Sequence, residues 1–250
     1  MSTAPSKIAL KRRLDRYFWA NSTGEMEFLR HVLDAKFTGF ERVAVIGGLV
    51  RDFAHGGRKS FRSDLDLVID APKERVAELA SSLHATPNRF GGFGCNQGPW
   101  KIDFWALETT WARRYVPLRS LEDIVSSTFF DWDAAAYDLK RRKLICSEDY
   151  LIRIRSKTLD INLLPNPSPL GNLVRAVRRL VIWRVQAGPL LKEFIDQHLD
   201  DDALRFIQAK ERELYSVAVS ERWATAAGAK EALFRRREDK LVTQFELRLD

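Results

Sequence analysis

The stretch VAVIGGLVRDFAHGGRKSFRSDLDLVID, residues 43–70, constrains the fold more than any other part of this chain. "RVAVIGG" (42–48) reads as a buried strand ending in glycine, and "LVRDFAHG" (49–56) as a short helix closed by Gly56 and Gly57. "DLDLVID" (64–70) alternates strictly and reads as a second strand. Gly47 and Gly48 are expected to face Asp64 and Asp66 across the loop "GGRKSFRS" (56–63).

Side chains alternate between faces along a strand, so Asp64 and Asp66 share one face while Leu65 and Leu67 take the other. Two like charges so close raise each other's pKa, from which a purely structural strand gains nothing. A divalent cation between them resolves the conflict. Magnesium is hard, takes oxygen ligands, and commonly combines one or two carboxylates with substrate phosphates; manganese is the alternative. Asp103 in "WKIDFW" is a third carboxylate inside an apolar strand, flanked by Ile102 and Phe104. If its strand pairs beside residues 64–70, three carboxylates converge. Two metals held this way suit in-line phosphoryl chemistry, with Asp103 nearest the attacking group.

The glycines supply the other half. Gly47 and Gly48 let the backbone come close to a ligand, and the following helix points its first N–H groups at the same place. Arg51, one turn in, offers forked donors to a phosphate, while Asp52 pairs locally or orients the loop. Each feature alone has a plain reading: a turn, a surface pair, a strand-edge charge. Their joint occurrence favours a phosphate cradle beside a metal pair.

Beyond this segment, residues 1 to about 12 read as a loose basic tail, and "EMEFLRHVLDAK" (25–36) carries apolar positions at helical spacing. "PKERVAELASSLH" (72–84) is an amphipathic helix with proline in its first turn, and "WKIDFWAL" (100–107) a third strand. "TFFDWDAAAYDL" (128–139) enters the same core, with Trp100, Trp105 and Trp132 as core aromatics and base stacking as the alternative for Trp132; "KRRK" (140–143) is an exposed turn. From about residue 168 the spacing is helical, with a break at "AAGAK" (226–230). The expected architecture is a mixed α/β head over residues 1–165 and a small helical domain over 166–250.

The chain has 250 residues and a formal net charge of +7, a balance that favours phosphate-bearing partners. Cys95 and Cys146 are too few for a disulfide framework, which suggests a reducing, cytoplasmic setting. No secretory signal and no apolar run of bilayer-spanning length is visible, so no membrane partner is expected. The basic runs "KRRK" and "RRR" (235–237) suit either a solvated turn or non-specific RNA contact.

"GGLVRD" followed by "SDLDLVID" resembles the head domain of bacterial CCA-adding enzymes and poly(A) polymerases, the class II nucleotidyltransferases. Gly47, Gly48, Val50, Arg51, Asp52, Asp64 and Asp66 match that family's pattern; "RFGG" (89–92) is similar to its Arg-Phe-Gly-Thr turn, and "IDFWALE" (102–108) to the strand of its third carboxylate. The resemblance implies a nucleotidyltransferase-type mixed sheet with flanking helices. It also implies transfer of a nucleoside monophosphate from an NTP to an RNA 3′ end, tRNA-like or otherwise, with pyrophosphate released. By resemblance, Asp133 stands where the family's nucleotide segment has Asn, and Arg175 and Arg178 lie on "NLVRAVRRL" (172–180), similar to the helix that reads the incoming base. The family's Arg-Arg-Asp is here Ser127, Thr128 and Phe129, and its Glu-Asp-x-x-Arg is "SPLGN" (168–172). The chain thus pairs a complete catalytic set with rebuilt specificity segments.

Two alternatives accompany this reading. The same chemistry could serve a small molecule, a protein or the making of short oligonucleotide signals, as in toxin or phage-defence systems. Alternatively, the chain could be a non-catalytic RNA- or nucleotide-binding module that keeps the carboxylates as a metal site.

Overall fold

The computed structural model describes residues 3–56 and 64–235. Most of the loop 56–63, Gly57, and Arg236 and Arg237 of the basic run lie outside the described residues. The chain divides into two compact units after Ser168.

The first unit opens with α1 (Lys7–Trp19), where a loose tail is expected from sequence. Ser6 caps the helix by accepting from the Ala9 N–H at 3.1 Å, and Leu10, Leu14, Tyr17 and Phe18 are buried. Those four positions follow the i, i+4, i+7, i+8 stripe of a packed helix; the intervening lysines and arginines mask it. Then follow α2 (Gly24–Phe37), β1 (Val43–Ile46), α3 (Gly48–His55), β2 (Leu65–Ile69) and α4 (Lys73–Ser82). Next come β3 (Thr86–Pro87), β4 (Phe93–Gln97), β5 (Trp100–Ala106), β6 (Ala135–Asp138), β7 (Lys143–Cys146) and α5 (Tyr150–Arg155). The strand around Asp103 is therefore the fifth, because the glycine-rich stretch before it also pairs.

Among the described residues, seven strands form one sheet in the order β3-β4-β5-β2-β1-β6-β7. Only β2 and β5 run parallel; every other neighbour is antiparallel. A parallel pair needs a crossover, and α4 lies in the connection between them. The first unit is thus a mixed sheet flanked by helices, the α/β architecture expected from the sequence.

The two sheet faces differ. On one, Phe18 stacks on Tyr137 at 5.7 Å between ring centres and Phe37 meets Phe104 edge-on at 5.9 Å, which binds α1 and α2 to β6 and β5. The Tyr137 hydroxyl donates to Asp15 at 2.6 Å and accepts from the Trp19 indole at 3.1 Å, so α1 is also fixed by polar contacts. On the other face, Ala44, Ile46, Val68, Ala136 and Ile145 pack against Leu107, Leu118, Leu121 and Ile124 from the segment that follows β5. Arg42 pins that segment to the sheet. Its guanidinium donates twice to Glu122, at 2.7 and 2.9 Å, and twice to the fully buried Asp138, at 2.9 and 3.0 Å.

The second unit contains α6 (Pro169–Ile182), α7 (Pro189–His198), α8 (Asp201–Leu214) and α9 (Ala226–Phe234). Asp200 caps α8 by accepting from the Ala203 N–H at 2.8 Å. The expected break at 226–230 is instead the start of α9. Thr225 accepts from the Gly228 N–H at 3.2 Å, so the cap holds a glycine that would otherwise weaken the first turn. No helix among the described residues is long and apolar enough to cross a membrane.

Candidate active site

The site begins with strand register. β2 and β5 are parallel with Asp66 opposite Asp103, Leu65 opposite Ile102 and Leu67 opposite Phe104. Residues paired in this way project to the same side, so Asp66 and Asp103 stand together on one face, with Asp64 two residues before Asp66. The leucines, Ile102 and Phe104 are fully buried on the opposite face. Burial of those apolar positions locks the register, since a one-residue slip would send the carboxylates into the core.

β1 is antiparallel to both β2 and β6, so its C-terminal end lies beside the start of β2. That end carries Gly47, whose N–H donates to Ala135 O at 3.2 Å. Gly47 has φ of 73°, which favours glycine, and a Cβ there would meet nothing within 4 Å. Among the described residues, nothing fills the space beside this turn, which lies at the same end of the sheet as the carboxylates. α3 starts immediately, with the Arg51 N–H donating to Gly47 O at 3.0 Å.

Arg51 is buried and lies between two acids. It pairs with Asp52 Oδ1 at 2.8 Å through one terminal nitrogen and with Asp133 Oδ1 at 2.6 Å through the other. Burial by itself would lower its pKa, but the charges of Asp133 and Asp52 outweigh this and hold it above its ordinary value. Asp52 thus pairs locally, and Asp133 joins the same cluster. Next to it, Trp132 is fully buried, with its indole donating to Thr158 O at 2.8 Å, so it is a core ring.

Two residues that sequence reasoning passed over complete the carboxylate region. The Lys101 ammonium is 2.5 Å from Asp64 Oδ2 and 3.9 Å from Asp103 Oδ2. Lys101 lies two positions before Asp103 and so shares its face, a signal present in the sequence. Its pKa is raised, first by the hydrogen bond to Asp64 and then, against burial, by the charges of Asp64, Asp103 and Asp66. The Asp103 carboxyl is pushed up by burial, with Lys101 pulling it down and the Asp64 charge adding to the rise. Gly94 pairs with Asp103 from β4, and a Cβ at that position would stand 2.5 Å from Asp103 Oδ1. The carboxylate occupies the space that glycine leaves, a cross-strand relation invisible along the chain.

Oxygen-only donors in a field that already attracts an ammonium fit a hard divalent cation in kind. Among the described residues, no three His, Cys, Asp or Glu side chains are gathered at metal-holding distance; the Lys101 ammonium lies among the carboxylates.

The remaining predicted contacts lie in the second unit. Arg175 is exposed and donates to Asn172 Oδ1 at 3.2 Å. Arg178 is committed to internal partners: Glu211 Oε1 at 2.6 Å, Val217 O at 2.7 Å, and the Tyr215 ring 3.6 Å beneath its guanidinium. Glu211 is fully buried and also accepts from the Ser220 N–H and hydroxyl, at 2.8 and 2.5 Å. Arg178 is therefore a structural centre of this unit.

The fold is of the nucleotidyltransferase type. Solved structures similar to this chain include a tRNA-processing enzyme and CCA-adding enzymes. One is a CCA-adding enzyme in complex with ATP, matched with a TM-score of 0.56 at 17% identity over 84% of this chain and 52% of that one. Another is the Thermotoga maritima CCA-adding enzyme complexed with tRNA(CCA), with a TM-score of 0.54 at 15% identity over 84% and 52%. A third is a tRNA-processing enzyme in an apo form, with a TM-score of 0.50 at 25% identity over 72% and 52%. The chain spans about half the length of these solved chains. No protein-family model matches the sequence, and no curated protein matches it.

Proposed function

We propose that this chain is a metal-dependent nucleotidyltransferase that moves a nucleoside monophosphate from an NTP to the 3′ hydroxyl of an RNA, tRNA-like in kind, and releases pyrophosphate. The observation that carries the proposal is the in-register pairing of Asp66 with Asp103 on adjacent parallel strands, at the sheet end that also carries the Gly47–Gly48 turn. The likeness to enzymes solved with ATP and with tRNA supports the choice of NTP and RNA as substrates.

Asp64, Asp66 and Asp103 would hold Mg²⁺, or Mn²⁺ in its place. When bound, the metal supplies activation of the acceptor hydroxyl and charge neutralisation at the departing pyrophosphate. Asp103, half-buried beside Asp66, would be the carboxylate nearest the attacking hydroxyl. The first N–H groups of α3, from Gly48 onward, would receive the triphosphate beside the Gly47 turn, whose own N–H is held by Ala135 O. A phosphate that engages Arg51 competes with Asp133, so the Arg51–Asp133 pair tunes how firmly the triphosphate is held. This reading places the chain in the cytoplasm with its NTP and RNA substrates.

A second reading keeps the reaction and changes the acceptor to a small molecule or a protein. The commitment of Arg178 to Glu211 favours it, because the helix that resembles a base reader then lacks that guanidinium for the purpose. Incubation of each labelled NTP with tRNA and Mg²⁺ tests the RNA reading. A labelled RNA product supports it; absence of product with all four NTPs and several RNA acceptors refutes it. Mass spectrometry of reactions without RNA separates the second reading.

A further inference from the structure

We propose that Lys101 is a built-in counter-ion of the carboxylate site, one that a divalent cation must displace in order to bind. The inference rests on the metal-site reading above and concerns how that site is kept when no metal occupies it. Asp66 and Asp103 stand on neighbouring strands, which run about 4.8 Å apart. Asp64 lies one pleat away on the same face. Three carboxylates at this spacing repel one another, and the strands alone offer no relief. The Lys101 ammonium meets the need, bonded to Asp64 at 2.5 Å and 3.9 Å from Asp103. It reaches this place because strand periodicity puts residue 101 on the face of residue 103, next to the start of β2.

A lysine at this position is not required by the fold. Its side chain is 57% exposed, and the residues on either side, Trp100 and Ile102, carry the apolar contacts of the strand. An ammonium on a four-carbon stem is also easily moved, unlike a guanidinium held in a fork. The arrangement sets a positive charge against the carboxylates without a metal, and it lowers the affinity for free metal. A metal that arrives with a triphosphate brings phosphate oxygens as further ligands and displaces the lysine more readily than the bare ion does. The consequence is a site that loads its cation together with the nucleotide.

The test is Mn²⁺ binding to the full chain without nucleotide, read by titration calorimetry and by loss of the free-ion paramagnetic resonance signal. The proteins compared are wild type, Lys101→Met, Lys101→Arg and Asp66→Asn. Removing one positive charge a few ångströms from a divalent ion at a half-exposed site is expected to tighten Mn²⁺ binding about tenfold in Lys101→Met. Lys101→Arg, which keeps the charge, stays near wild type. If Lys101→Met binds Mn²⁺ no more tightly than wild type while Asp66→Asn loses binding, the counter-ion proposal is overturned and the metal site stands. If Asp66→Asn binds Mn²⁺ as well as wild type does, the metal-site reading falls, and the proposal falls with it.

Discussion

Gly94 offers a sharp test of whether the position of the Asp103 carboxylate matters. Adding a methyl group at residue 94 would place Cβ 2.5 Å from Asp103 Oδ1 and 3.8 Å from its Cγ. Ordinary van der Waals contact then demands a retreat of roughly 1 Å. The obstructing atom is the tip of a rotatable side chain, so the carboxylate swings aside at small cost. Alanine within a strand also gains roughly 0.5–1 kcal/mol over glycine, which offsets part of that cost. Gly94→Ala should therefore keep its stability within about 1 kcal/mol of wild type. Displacing a reacting group by about 1 Å, by contrast, costs about 10²-fold in rate. The assay is the initial rate of nucleotide incorporation at saturating NTP, run beside a urea titration. An unchanged rate in Gly94→Ala would refute the reasoning. A rate loss accompanied by several kcal/mol of lost stability would refute it too, because the argument separates the two effects.

Other predictions follow from the packing and charge of each unit. Arg42→Met strands the fully buried Asp138, and urea unfolding should show about 3–5 kcal/mol of lost stability. Arg178→Ala leaves the buried Glu211 without its charge partner, so it should lower the unfolding midpoint by a similar amount while the NTP dissociation constant stays unchanged; a weaker NTP affinity with an unchanged midpoint would assign Arg178 to the ligand. Asp131 governs a pH effect. Burial raises its carboxyl to about 6, against the pull of the Asp160 N–H, so the folded state binds the proton more tightly than the unfolded chain. Stability should accordingly be highest below about pH 4 for this group and fall by about 2–3 kcal/mol as pH rises through 6. Asp131→Asn should remove that slope in urea midpoints measured from pH 4 to 7, and an unchanged slope would contradict the assignment.

The part of the site that follows strand periodicity was legible from the sequence. Alternation in "DLDLVID" and in "WKIDFWAL" assigns a face to every residue, and the glycine pair marks where β1 ends. The pairing of Asp66 with Asp103 needs only that these two strands be neighbours, which the parallel register supplies. Gly94 was not legible, because its partner is nine residues away across a hairpin. Lys101 was in plain view two residues from Asp103, but a lysine on a strand reads as a solvated charge until its distance to Asp64 is known. Helix α1 was hidden by basic residues on its exposed side, and the bond from Arg178 to Glu211 joins helices that no local pattern connects. In each case local spacing fixes the face of a residue, while its partner depends on how distant elements pack.

The most direct test of the central claim is pyrophosphate release from NTP in the presence of RNA and Mg²⁺, measured for wild type, Asp66→Asn and Asp103→Asn at matched folded concentrations. The account predicts steady release by wild type and a fall of about 10²–10³-fold or more in each variant, the scale of losing one charge-stabilising group from an active site. Equal release by all three proteins, or none by wild type with any NTP, would contradict it.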